Sequence, residues 1–378
     1  MNEWFSIRQV NGRTLAAVRG LAPGSHTPRR PFIIPVFIPL SGCPHRCSFC
    51  NQAAITGVSP HRLSAATVEQ TVRTWLPRVH DPKRPVEIAF YGGNFLGLPT
   101  GLVQDLLTSA AGFVRRGEAG GIRFSTRPDT ISPETLAAIR DFPIAAIELG
   151  LQSMDDQVLV RNRRGHTAAC TAKAAQRIKS AGYALGLQMM TGLPGDTPQG
   201  AAQTAEAMIR LAPDTVRIYP TVVLAGSPLA RYFRKGDFIP MGLADTITLV
   251  SRLLLRFISS DIPVIRMGLQ AEETLSSDDT VLAGPYHPAL GELVYSQVFL
   301  ELAAAALVRH PDHKRPVRLR VHPRHLSRMI GAGRRNQQRL RARFKLPSLT
   351  IRADEGITPF HLEVDNPTPL IASRSCGP

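Results

Sequence analysis

The sequence predicts an α/β protein in which a parallel sheet of repeated strand–helix units is followed by a small, strongly basic α+β appendage. Three observations carry that expectation. Short apolar runs alternate with segments of helical period from residue 32 to residue 267. Three closely spaced cysteines, Cys43, Cys47 and Cys50, follow the first of those runs, and thirteen Lys or Arg fall between Arg309 and Lys345 against a single acid, Asp312. Strands that alternate with helices build βα units whose strands lie parallel.

Taken in order, residues 1–31 mix Gly, Pro and Arg without a sustained period and read as a poorly ordered lead-in. The strand-like runs that follow are 32–38, 86–91, 122–126, 144–151, 184–191, 215–219 and 264–267, and the helical segments between them are 66–76, 102–114, 133–139, 168–181, 199–211 and 243–259. Two helix starts are marked chemically, since Ser132 precedes Pro133 and Thr197 precedes Pro198. Each pair is a capping hydroxyl followed by proline at the first helical position. Functional residues in such a sheet belong at the carboxyl ends of the strands.

Composition narrows the class. The 378 residues suit two or three domains, or one barrel-sized domain with an appendage, and a hydrophobic content of 43% is ordinary for a globular chain. Five cysteines, three of them clustered and two (Cys170, Cys376) isolated, read as metal binding rather than as a disulfide framework. The first residues lack a signal-peptide pattern, and the longest apolar run, 298–308, contains Glu301 and is short for a bilayer. A cytoplasmic protein that avoids membranes is expected. The formal charge of +16 is concentrated, with +12 in 309–345 alone, which points to a polyanionic partner and to nucleic acid first. The plainer alternative is a solvated basic surface.

The cysteine spacing, x3 then x2, lets one loop bring three thiolates to one inorganic centre. A structural zinc site wants four N or S ligands in a closed tetrahedron, whereas an iron–sulfur cluster held by three thiolates keeps an open metal position. A zinc loop completed by His45 or His61, or three unrelated thiols, remain the alternatives. Beyond the second strand come Gly92, Gly93 and Asn94, where a side-chain-free backbone approaches a ligand closely. Gln152 ends the fourth strand with a donor and an acceptor suited to a ribose or an adenine edge. Within 161–167, Arg164 and its neighbours suit a carboxylate, while His166 belongs to the start of the next helix. Gln188 lies on the fifth strand, and Leu193 in the Gly-Leu-Pro-Gly turn after it.

These motifs resemble the radical S-adenosylmethionine (radical SAM) superfamily, in which the open iron of a [4Fe-4S] cluster is chelated by the methionyl end of the cosubstrate; Phe49, just before the third cysteine, fits as well. The resemblance implies a partial (β/α) TIM-like barrel over 32–270. It implies Cys43, Cys47 and Cys50 as cluster ligands, Gly92 and Gly93 as the backbone that holds the methionyl amino group, and the turn at Leu193 as the adenine side. Asn94 stands where the family usually has Glu. The order and spacing of Gln-Ser-Met-Asp-Asp, Arg-Gly-His-Thr and Leu-Pro-Gly are similar to the catalytic subunit of Elongator and its shorter bacterial relatives. That resemblance stops short of the acetyltransferase domain into which the Elongator subunit continues, so its whole reaction is not carried over.

After the barrel, 271–308 reads as a linker and helix, 309–355 as a basic module and 356–378 as a tail. The module's order is strand, helix, glycine loop, basic helix, strand, which is that of a KH-like RNA-binding unit with its backbone-clamping loop. Its candidate RNA contacts are Gly331, Gly333, Arg334, Arg335 and Arg339, with Arg334 in place of the second loop glycine. The expected function is cleavage of S-adenosylmethionine to a 5′-deoxyadenosyl radical for modification of an RNA, a tRNA above all, with an electron donor such as flavodoxin or ferredoxin. Two alternatives are a radical enzyme acting on a porphyrin-type small molecule and a non-catalytic, zinc-containing RNA-binding protein. A small appendage that seals the barrel is the alternative for the module.

Overall fold

A computed structural model describes residues 3–20, 31–38, 42–56, 63–270, 275 and 279–367. His61 and Cys376 lie outside the described residues. The chain divides into two compact units, one of residues 26–291 and one that joins 1–25 to 292–378.

The first residues correct the expectation of a loose lead-in. They form a hairpin of β1 (Phe5–Val10) and β2 (Arg13–Val18), paired antiparallel from Phe5 opposite Val18 to Val10 opposite Arg13. Asn11 and Gly12 make the turn, with φ of 49° and 75°. Two central residues at positive φ match the right-handed twist of the flanking strands, and Asn-Gly is the pair that reaches that conformation at least cost.

The unit of residues 26–291 is the predicted barrel. Its strands are β3 (Phe32–Phe37), β4 (Val86–Tyr91), β5 (Gly121–Thr126), β6 (Ile144–Gln152), β7 (Ala184–Thr191), β8 (Thr215–Pro220) and, after the short β9 (Val223–Leu224), β10 (Val264–Met267). They form a seven-stranded sheet in the order β10-β8-β7-β6-β5-β4-β3, parallel throughout and curled into a partial barrel with helices outside. Ile34, Ile88, Phe90, Ile122, Phe124, Ile147, Leu149, Met189 and Ile218 are fully buried, as both-sided burial of a parallel sheet requires. The caps form where their residue types predicted. Ser132 accepts from Thr135 N and Thr197 from Gly200 N, and Thr167, rather than His166, caps the helix Ala168–Ser180. A two-stranded pair of β9 and β11 (Val281–Ala283) completes the unit.

The other unit is a five-stranded sheet, in order β1-β2-β14-β12-β13, where β12 is Val317–Val321, β13 is Leu349–Ala353 and β14 is His361–Asp365. The expected tail therefore supplies a central strand. Its Leu362 and Val364 are buried in the core, and Glu363 and Asp365 alternate onto the other face. The region read as linker and helix likewise contributes core, since the helix Leu290–Arg309 buries Val294, Val298, Phe299, Leu302, Ala303, Ala306 and Leu307. At 20 residues it is long and apolar enough to cross a membrane by length and composition, which the sequence reading did not anticipate.

Candidate functional site

The cysteine loop lies beyond the end of β3. Cys43 is exposed, Cys50 half-buried and Cys47 buried. The loop is fastened by polar contacts on three sides. Asn94 Nδ2 donates to Gly42 O at 2.7 Å, Ser48 Oγ donates to Asn162 Oδ1 at 2.6 Å, and Asn51 Nδ2 donates to Ala225 O at 2.6 Å. Asn94 thereby departs from its expected role. Its fully buried amide oxygen accepts from Thr126 Oγ1 at 2.7 Å and from Arg127 N at 3.0 Å, so the side chain latches the loop to the end of β5 instead of facing a cofactor. The Gly92–Gly93 turn precedes it, with Gly92 at φ 89°.

Residues 162–166 form the opposite wall, and they touch the cysteine loop at successive points. Ser48 N donates to Asn162 O at 3.2 Å, Arg164 Nη1 donates to Cys47 Sγ at 3.1 Å, and the His45 ring fills the place that a Cβ on Gly165 would need. Gly165 sits at φ 70°, so glycine serves both the turn and the close approach. The second limb of the Arg164 guanidinium donates to Gly150 O on β6, and Arg127 Nη2 donates to Arg164 O. Arg127 is in turn held by a two-pronged pair with Asp129, both contacts at 2.9 Å. Gln152 and Gln188 exchange hydrogen bonds, Gln188 Nε2 to Gln152 Oε1 at 2.6 Å and the reverse at 3.2 Å. Both amides lie within 4 Å of where a Cβ on Gly150 would sit, as does Arg164 Nη2. The structure thus brings Cys47, Arg164, Gln152 and Gln188 together. Leu193 is a buried residue of the turn after β7.

Electrostatics suit this pocket to a metal cluster and an anionic ligand. Burial, reinforced by the neighbouring thiols, pushes the Cys50 thiol up to about 12. Thiolates here need a cation for compensation. Arg127 Nη1 and Arg164 Nε are buried without a hydrogen-bond partner among the described residues, as is His166 Nε2, whose ring burial holds near pKa 4 and so neutral. Three soft sulfurs and two unspent guanidinium N–H groups fit a [4Fe-4S] cluster and the carboxylate of S-adenosylmethionine. Among the described residues no three His, Cys, Asp or Glu side chains converge on a single metal ion, and a cluster spreads its thiolate ligands wider than one ion does.

Beneath this site the barrel interior carries a polar layer that sequence reading missed. Glu148 on β6 is buried and accepts from Arg123 Nη1 at 3.0 Å, Arg217 Nη2 at 2.8 Å and Tyr91 Oη at 3.1 Å. Arg217 also donates to Tyr91 Oη at 2.6 Å, and Arg123 pairs with Glu87. Two cations, Arg123 and Arg217, thus meet two anions, Glu87 and Glu148, across four strands, which gives each charge a partner away from water. The available signal was the period of two along β6, which puts Glu148, Gly150 and Gln152 on one face.

In the basic module, helices Leu326–Ile330 and Arg335–Arg343 flank the loop, with Gly331 at φ 74°, Gly333 at 58° and Arg334 at 63°. Asn336 anchors it, donating to Ser296 O at 2.9 Å and to Arg328 O at 3.2 Å. The arginines of 309–345 are not equivalent. Arg318, Arg320 and Arg328 are paired with Asp365, Asp354 and Glu292 at 2.7–2.9 Å, so part of the +12 is neutralised by acids outside that stretch. Arg334, Arg335 and Arg339 are exposed and have no ion pair with a described residue.

Residues 37–208 match the model of the radical SAM superfamily, and residues 213–299 that of the radical SAM C-terminal domain. The chain belongs to the radical SAM superfamily, whose members use a [4Fe-4S] cluster and S-adenosylmethionine, and it is an enzyme of that kind. It is similar to the tRNA uridine(34) acetyltransferase of Dehalococcoides mccartyi, 26% identical over 230 residues that are 52% of this chain and 50% of that one. It is similar also to the heme chaperone HemW of Mycobacterium tuberculosis, 28% identical over 232 residues, 58% of this chain and 56% of the other. Among solved structures the archaeal Elp3 of Methanocaldococcus infernus shares the fold, with a TM-score of 0.53 at 20% identity over 70% of this chain and 62% of that chain. The chain spans about half the length, or less, of the tRNA uridine(34) acetyltransferases it matches.

Proposed function

We propose that this radical SAM enzyme acts on a nucleotide of RNA, a tRNA in the first instance, and that Cys43, Cys47 and Cys50 hold its cluster. The bound cluster and S-adenosylmethionine supply one-electron reductive cleavage and hydrogen-atom abstraction, chemistry that belongs to the cofactors. The chain's share is placement. The backbone at Gly92 and Gly93 approaches the methionyl amino group, and the free N–H groups of Arg127 and Arg164 face its carboxylate. Gln152 and Gln188 offer their paired amides to the ribose and adenine, beside the apolar turn at Leu193. A one-electron donor of the flavodoxin or ferredoxin type and a cytoplasmic location go with this chemistry.

The observation that carries the RNA reading is the exposed set of Arg334, Arg335 and Arg339, without an ion pair among the described residues, beside a glycine loop in a KH-like order, in a chain similar to proteins named for tRNA uridine 34. Binding of a labelled tRNA across a salt series tests it. Affinity should fall with a log–log slope of about −0.7 per phosphate contacted on a single strand. The likeness to HemW favours a second reading, a porphyrin-type ligand. Haem binding by a protein that retains no tRNA at low salt would select it.

A further inference from the structure

We propose that Arg164 is a positioning residue that sets the electron affinity of the centre at Cys47, by donating a charge-assisted N–H···S hydrogen bond to that thiolate. The proposal rests on the reading that the three cysteines hold the cluster. Nη1 stands 3.1 Å from Cys47 Sγ, and the two residues are 5% and 6% exposed. A guanidinium keeps its proton in a protein, so the donor is always charged. A hydrogen bond from such a charged donor is shorter and stronger than one from a neutral donor.

The guanidinium is also held in place. Its second limb is fixed on Gly150 O, its own carbonyl takes Arg127 Nη2, and the turn that carries it is locked at Asn162 and at Gly165. Such a donor answers to charge on the sulfur rather than swinging toward solvent. Reduction adds one electron to the centre and increases the negative charge on its sulfurs, which a fixed cationic donor stabilises. Arg164 therefore raises the reduction potential and makes the electron easier to accept.

The test is a redox titration of anaerobically reconstituted parent, Arg164→Gln and Arg164→Lys, followed by electron paramagnetic resonance without S-adenosylmethionine, after iron and sulfide analysis of each. The expected result is a parent-like iron content and a potential in the Gln variant lowered by the equivalent of about a tenfold change in the one-electron equilibrium, ~59 mV. The Lys variant, which keeps the charge and loses the fork, should fall between. An iron-loaded Gln variant with the parent's potential overturns the proposal. Loss of iron from both variants overturns it too, by making Arg164 a structural requirement instead of a tuning one. A parent that takes up no cluster refutes the reading of the three cysteines, a separate failure visible in the iron analysis alone.

Discussion

At the barrel mouth Arg127 and Arg164 are buried and committed to internal partners, whereas Arg334, Arg335 and Arg339 of the other unit are exposed and have no ion pair with a described residue. Arg318 and Arg320 stand between these extremes, half-buried on a sheet face and paired with acids of β14 and its approach. A guanidinium taken out of water must meet charge or hydrogen-bond acceptors inside the protein, while one left in water is free for a partner. Position, more than residue count, therefore decides which part of a +16 chain faces a polyanion. On the proposed reading the cofactors go with one unit and RNA with the other, and four perturbations bear on it.

The largest effect is expected at the cluster. Replacing any one of Cys43, Cys47 or Cys50 by Ala should abolish bound iron and sulfide in anaerobically prepared protein, while Cys170→Ala should leave both at parental levels. Normal iron in a Cys47→Ala protein would remove the assignment. Next comes the buried layer. Glu148→Gln leaves Arg123 and Arg217 without a shared anion, and breaking a buried pair in this way costs about 3–5 kcal/mol. Denaturant unfolding should show that loss, and an unchanged midpoint would mean that Glu87 alone compensates both arginines.

In the basic unit the effects are smaller and depend on conditions. Arg334, Arg335 and Arg339 replaced together by Gln should flatten the salt dependence of tRNA binding by roughly one to two units of log–log slope. Iron content should stay parental. If the triple variant keeps the parent's slope, the exposed arginines are a solvated surface. The fourth perturbation is pH. His325 is buried between Phe299 and Phe360, with ring centroids 4.7 and 4.6 Å away, and desolvation lowers it to about 4. A depressed histidine is neutral in the folded state, so the unfolded chain binds the extra proton as pH falls. Stability should be full above about 6.5 and decline from there toward pH 4. His325→Phe should reduce that decline in acid unfolding, and an identical decline would assign it to other groups.

Much of the fold is legible in the sequence for a physical reason. Strands buried on both faces are nearly continuous apolar runs, and Val86–Tyr91, Ala184–Thr191 and Val264–Met267 coincide with the expected runs. The N-terminal hairpin was equally marked, by Asn11-Gly12 between two alternating segments, but its arginines and exposed positions hide the apolar half of the period. β14 is harder to see, because it is five residues long and carries acids that become buried only through arginines distant in sequence. The same holds at the site. A three-cysteine loop announces itself within eight residues, whereas the Arg164 contact to Cys47 spans 117 positions. The polar layer gathers isolated residues from four strands, none of which is a motif by itself. Asn94 shows the limit from the other side, since a motif position was read as a ligand and the fold uses it as a latch.

The central claim is that the barrel is a working radical SAM site assembled on the three cysteines, and the most direct measurement is 5′-deoxyadenosine released from S-adenosylmethionine by the anaerobically reconstituted, chemically reduced protein. The account predicts release by the parent, none by Cys47→Ala, and release retained by the Arg334, Arg335 and Arg339 triple variant, because no part of that chemistry uses the basic unit. An iron-loaded parent that releases no 5′-deoxyadenosine, or a Cys47→Ala protein that releases as much as the parent, would contradict it.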